Sequence, residues 1–160
     1  MNEKSCCFSG HRKIPIEAKN TLTRRLKDGV TYLNENMGIT TFYAGGALGF
    51  DALAAEAVLS CRKSNPAIRL VVVIPCKTQA ARWSVEDVAR YEHIKMDADE
   101  VICLSDHYYS GCMHERNRYM VDRSNVCICY LTESTGGTAY TVQYARQKGL
   151  QIFNLAKPKA

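Results

Sequence analysis

Two glycine-rich stretches carry the strongest chemical signal in this sequence. The first is Ala44-Gly45-Gly46-Ala47-Leu48-Gly49-Phe50-Asp51, and the second is Ser134-Thr135-Gly136-Gly137-Thr138. Each follows an apolar run and precedes a helix-period segment. A glycine turn of this kind lets main chain approach a ligand closely. The helix that follows points unpaired N–H groups and its positive end at the turn, which suits a phosphate or a carboxylate. A tight strand-to-helix turn without any ligand would use the same residues. Asp51 is placed to cap its helix or to accept a ribose hydroxyl, and Thr138 to donate to a phosphate or to cap. A third turn, Ser9-Gly10-His11-Arg12, adds positive charge, with Arg12 the better anion ligand and His11 readable as structural. Gln79 and Trp83 fall in a further loop, where the indole could stack on a base or pack in the core. Arg116 and Asn117 lie in the segment Met113-His114-Glu115-Arg116-Asn117.

These residues need a scaffold that gathers them at one edge. Short apolar runs predict strands at Ser5–Phe8, Thr40–Tyr43, Arg69–Ile74, Glu100–Leu104, Val126–Tyr130 and Gln151–Asn154. Several are apolar throughout, as strands covered on both faces are. Between them the pattern turns helical. Leu22, Leu26, Val30 and Leu33 form one stripe, and Leu53, Ala54, Ala57, Val58 and Cys61 another. Ser84 followed by Asp87 reads as a capping box, and Gly149 as a helix stop. Alternating strands and helices predict an α/β fold. The expectation is a Rossmann-like three-layer α/β/α sandwich with a mainly parallel sheet of about six strands. In such sheets ligands collect at the carboxyl ends of the strands, where all the singled-out turns fall. One domain over residues 1–160 is expected, with a frayed tail at 155–160.

The 160 residues are 46% hydrophobic, enough for a full core. No apolar stretch approaches the roughly 20 residues that cross a bilayer. The polar start, Met1 to Lys4, lacks the apolar region of a secretory signal, so a cytoplasmic location is expected. The net charge of +5 suits an anionic ligand, but the basic residues are scattered, which argues against nucleic acid as a partner. Eight cysteines include no C-x-x-C pair and no zinc-type spacing, so no metal is expected. Most sit in strand-like runs as small buried hydrophobes, and Cys76 and Cys112 are the two in loops. A standard dinucleotide oxidoreductase is disfavoured. The near-fingerprint at 44–49 follows the second strand rather than the first. The next strand ends in Ile74-Pro75-Cys76-Lys77, without the acidic residue that would take the ribose.

The strings SGHR, GGALGFDALAAE, VIPCKTQAARW, MHERNRYMVDRSN and STGGTAYTVQYA together resemble the SLOG superfamily, and within it the YpsA/YoqJ-like branch of small bacterial proteins. The resemblance runs from about Cys6 to Ile152. It implies a Rossmann-like fold and a nucleotide or nucleotide-derived ligand, with ADP-ribose or an NAD derivative among the candidates and no firm cofactor. The superfamily also contains the LOG phosphoribohydrolases, which cleave the N-glycosidic bond of nucleoside monophosphates. Their M-H-E-R-K helix is similar to Met113–Asn117, which puts Arg116 on the catalytic arginine and Asn117 on the lysine. If Gly137-Thr138 matches the G-T of their second motif, Thr141 stands where a catalytic glutamate belongs. A carboxylate stabilises or activates water against an oxocarbenium-like state, and threonine cannot. Glu115 or Asp51 would have to substitute. The likeness also suggests a homodimer. The leading expectation is a domain that binds or senses a nucleotide-type ligand through residues Gly10–Arg12, Gly45–Ala47, Gly49, Asp51, Gln79, Trp83, Arg116, Asn117 and Gly136–Thr138. The alternatives are a LOG-like phosphoribohydrolase with Arg116 and Glu115 as candidate catalytic groups, and a single-strand nucleic-acid or partner-binding module of the DprA type.

Overall fold

The structure, a computed structural model, describes residues 4–156. Six strands form one sheet: β1 (Ser5–Gly10), β2 (Thr41–Ala44), β3 (Arg69–Ile74), β4 (Glu100–Cys103), β5 (Val126–Tyr130) and β6 (Gln151–Asn154). Their spatial order is β4-β3-β2-β1-β5-β6, and every neighbouring pair is parallel. The helices are α1 (Lys19–Met37), α2 (Phe50–Ser64), α3 (Val85–Asp97), α4 (Cys112–Asp122) and α5 (Gly137–Gln147), with one 3-10 turn at Ile16–Ala18. The expected architecture is therefore present, and the sheet is parallel throughout.

Side-chain alternation along the strands makes two cores. Cys6, Phe8, Phe42, Leu70 and Val72 face α1, α2 and α3, while Cys7, Val71, Val73, Cys127 and Cys129 face α4 and α5. Phe8 anchors the first core, stacked on Phe42 at 6.1 Å between ring centroids and edge-on to Phe50 at 6.3 Å. The α1 stripe read from the sequence, Leu22, Leu26, Val30 and Leu33, is buried. Ser84 caps α3, its side chain accepting the Asp87 N–H at 3.1 Å. Gly149 takes a left-handed conformation just past α5 (φ +84°), the usual way a helix is stopped before a strand.

Two expectations change. The tail is not frayed from residue 155: Leu155 N–H donates to Cys129 O at 2.8 Å, and Ala156 N–H to the Asn154 side chain at 3.0 Å. Residues 157–160 lie outside the described residues. Cys76 and Cys112, read as the two cysteines in loops, are both 1% exposed, and Cys112 is the first residue of α4. Burial, and then the neighbouring Cys76 thiol, push the Cys112 thiol up. Among the described residues, no helix is long and apolar enough to cross a membrane.

One core residue sits at a disadvantage. Thr41 of β2 is 3% exposed and its hydroxyl has no hydrogen-bond partner among the described residues. A buried polar group without a partner costs its desolvation. Thr41→Val keeps the shape and removes the hydroxyl, so it should stabilise the fold by about 1 kcal/mol. Thermal denaturation checks this: an unchanged or lower midpoint would show that the hydroxyl is satisfied in solution.

Candidate functional site

The chain builds the sheet outward from β1 in one direction, through β2, β3 and β4, and then returns to lay β5 and β6 on its other side. Between β1 and β5 the winding reverses, and the connections at the carboxyl edge diverge. That is where open α/β sheets have a crevice. A cavity of about 350 Å³ lies there. Its walls come from Phe8–Arg12 at the end of β1, Ala47 before α2 and Asp51 in its first turn, Met113, His114, Arg116 and Asn117 on α4, and Glu133 and Thr135–Thr138 after β5. Its size matches small-molecule sites, which run from roughly 300 to 1,000 Å³.

The two glycine loops differ in kind. Gly136 begins α5 with φ +102° and no side-chain cap, and a Cβ built on Gly136 or Gly137 would meet nothing within 4 Å. This turn is exposed and opens on the cavity. The first loop is turned inward: Gly45, Gly46 and Ala47 are all buried. A Cβ on Gly45 would come within 2.7 Å of the Arg116 guanidinium and 2.8 Å of an Asp51 carboxylate oxygen. A Cβ on Gly49 (φ +76°) would overlap the main chain of Arg12. Gly10 similarly gives way to the Phe50 ring. The glycines of the first loop thus make room for the protein's own groups. Gly45, Gly46 and Gly49 do not line the cavity, which corrects the expectation that both loops present their amides to a ligand.

Arg116 is the centre of the assembly and only 3% exposed. Its Nη1 donates to Gly45 O, to Val73 O at 3.3 Å and to Gln79 Oε1 at 3.3 Å, and its Nε donates to Asn117 Oδ1 at 2.8 Å. No bond of Nη2 to an acceptor is found among the described residues, and Arg116 is one of the residues that line the cavity. Burial pushes the Arg116 guanidinium below its ordinary range, with Asp51 acting in the opposite sense. Asp51 is 7% exposed, and burial pushes its carboxyl up despite Arg116, the Ala47 amide and Arg12. The partners attract one another, but desolvation outweighs that attraction for both. Asp51 does not cap α2: its Oδ2 accepts the Ala47 N–H at 3.3 Å, and Gly49 is the cap. Thr138 is likewise past the cap position and faces the cavity.

The two departures from the LOG pattern are bonded to each other. Asn117 Nδ2 donates to Thr141 Oγ1 at 3.0 Å, and the Thr141 hydroxyl donates to Gly137 O at 2.9 Å. A polar relay therefore runs from Arg116 through Asn117 and Thr141 to the open turn, holding α4, α5 and that turn in register. Thr141 is buried and Glu115 is exposed outside the cavity, so neither supplies a carboxylate there. His11 lines the cavity and also clasps β5, its Nε2 accepting the Thr132 N–H at 3.0 Å, which leaves the ring proton on Nδ1. Gln79 and Trp83 stand outside the cavity. Gln79 braces Arg116, Gly46 O and the Tyr91 hydroxyl, and Trp83 packs edge-on against Tyr91 at 5.1 Å. The indole is a packing residue rather than a stacking platform. The sequence reading missed Ser9, His114, Glu133 and Thr135 as lining residues. Glu133 and Thr135 flank a glycine turn already recognised, and proximity to it was the available signal. Among the described residues, no three His, Cys, Asp or Glu side chains group as metal ligands would.

A parallel sheet that reverses its winding over such a cavity makes this a Rossmann-like α/β protein with its candidate site at the switch point. The chain belongs to the YspA SLOG family, whose YpsA profile matches residues 8–155. It is 29% identical over 156 residues to the uncharacterized SPbeta prophage-derived protein YoqJ of Bacillus subtilis, covering 86% of this chain and 91% of that one. It is 26% identical over 136 residues to a UPF0398 protein of Halalkalibacterium halodurans, covering 77% and 72%. Among solved structures it resembles DNA processing protein A of Helicobacter pylori, described for its single-stranded DNA binding mode, with TM-score 0.69 at 18% identity over 99% of this chain and 67% of that one. DNA processing protein A of Streptococcus pneumoniae gives TM-score 0.70 at 16% identity, with this chain spanning about half of it (51%). At these identities the structures share the fold.

Proposed function

We propose that this domain binds a phosphate-bearing, nucleotide-type ligand in the cavity between β1 and β5. One observation carries the reading. A helix start without a side-chain cap, Gly136-Gly137-Thr138 at α5, opens onto the same cavity as the buried Arg116 and the exposed Arg12. Main-chain N–H groups at a helix start, aided by guanidinium groups, bind anionic oxygens. A nucleoside monophosphate, ADP-ribose or an NAD-derived molecule offers such oxygens, and a bacterial cytoplasm supplies all of them.

Hydrolysis is the weaker reading, because Thr141 is committed to Gly137 O and Glu115 lies outside. A nucleic-acid role, suggested by the DNA processing proteins of similar fold, draws on no basic groove that the cavity walls provide: Asp51 and Glu133 share them with Arg12 and Arg116.

Gly137→Asp tests the proposal. Its side chain has room, and an acidic residue in the first turn of a helix favours folding by about 0.3–1 kcal/mol. The variant should therefore melt at or slightly above the parent temperature. It should lose at least tenfold in nucleotide affinity, read as loss of ligand-induced stabilisation across a panel of nucleoside monophosphates, ADP-ribose, NAD and a short oligonucleotide. An unaltered ligand shift in Gly137→Asp, or stabilisation by the oligonucleotide alone, would remove the reading.

A further inference from the structure

The cavity contains two carboxylates that a site for anions alone would not want. Asp51 is nearly buried in its wall, and Glu133 stands near its mouth. A fixed negative charge repels phosphate, and burying it is costly unless it meets donors. Asp51 is also held in place: one oxygen accepts the Ala47 N–H, and that oxygen and the Arg116 guanidinium both crowd the space that a Gly45 side chain would take. The carboxylate cannot swing out to water as a surface residue would. Its position relative to the anion end is set by the sheet. The α2 start follows β2 and the open turn follows β5, on opposite sides of β1. Two strand spacings, about 10 Å, separate the strands that carry them, a span that one sugar phosphate with a hydrogen bond at each end can bridge.

We infer that Asp51 is the sugar-recognising residue of this site, accepting the vicinal hydroxyls of a ribose whose phosphate lies on Gly136-Gly137-Thr138, so that the domain selects ribonucleotides over their deoxy forms. The inference rests on the phosphate-binding reading above and adds the class of sugar to it. A carboxylate is an acceptor only, and a cis-diol offers it two donors together. Burial raises the Asp51 carboxyl, and hydrogen bonds donated by a diol would act in the opposite sense.

The experiment compares AMP and GMP with their 2′-deoxy and 2′,3′-dideoxy forms and with inorganic phosphate, by calorimetry on the wild-type chain and on Asp51→Asn. Wild type should bind both ribonucleotides roughly tenfold to a hundredfold more tightly than the dideoxy forms, the worth of hydrogen bonds to a charged group. Asp51→Asn should lower ribonucleotide affinity toward the dideoxy level while inorganic phosphate binds at least as tightly as to wild type, because a repelling charge is gone. Equal wild-type affinity across the sugar series would overturn the inference, as would a preference that follows the base or one that survives in Asp51→Asn. If the variant does not fold, the wild-type sugar series still decides. Absence of binding by every nucleotide and by phosphate would instead fell the phosphate-binding reading, and this inference with it.

Discussion

Replacing Arg116 by alanine should destabilise the protein by about 3–5 kcal/mol, the usual cost of removing one partner from a buried charged assembly. At roughly 2–4 °C per kcal/mol for a chain of this size, the melting temperature should fall by about 6–20 °C. The guanidinium serves Gly45 O, Val73 O, Gln79 Oε1 and Asn117 Oδ1 at once, and all four are left without that donor. Asp51 then stands buried with only Arg12 as a counter-charge. Arg116→Lys should recover little, because an ammonium cannot reproduce the planar fork that reaches acceptors on three separate segments. Thermal and denaturant unfolding check both variants. A loss below about 1 kcal/mol in Arg116→Ala would mean that the side chain is exposed in solution, and the cavity would then need redrawing.

The second large effect is expected at Gly49. A methyl group there would overlap the main chain of Arg12, in a conformation (φ +76°) that L side chains rarely adopt. Backbone cannot step aside as a side-chain tip can. Overpacking and a left-handed conformation each cost on the order of 1–2 kcal/mol, so Gly49→Ala should lose about 2–4 kcal/mol in all. Gly38 is the internal control. It has φ +67° but nothing within 4 Å of its Cβ position, so Gly38→Ala should lose only the conformational share, about 1 kcal/mol. The excess at Gly49 should also appear as weakened ligand binding, because the displaced segment carries Arg12 into the cavity wall. Equal losses at the two glycines would refute the close-contact account.

The scaffold was legible because its signals are local. Three strands, Arg69–Ile74, Val126–Tyr130 and Gln151–Asn154, have the limits that their apolar runs predict, and Ser84 caps α3 through the Asp87 amide as their spacing requires. The role of the first glycine loop was not legible. Its meaning depends on Arg116, 71 residues away, whose guanidinium fills the space that a ligand was expected to take. A strand–Gly-Gly–helix pattern states that something comes close to main chain; it does not say whether that something is a phosphate or the protein's own arginine. Gln79 and Trp83 were placed in the correct loop, yet their partner is Tyr91 of α3, and no periodicity reports that contact. Asn117 and Thr141 were recognised as separate departures from a motif. Only the packing of α4 on α5 shows them as one bonded pair.

The reversal of winding between β1 and β5 has a consequence for how the chain matures. One wall of the cavity is made by residues up to Asp51 and the other by residues beyond Cys112, so no fragment containing the first three strands alone possesses this cavity. A ligand bound there as proposed would bridge early and late parts of the polypeptide and work as a clasp between them. Amide hydrogen exchange in β5 and α5 should therefore slow more on ligand addition than exchange in β3 and β4, which the clasp does not touch.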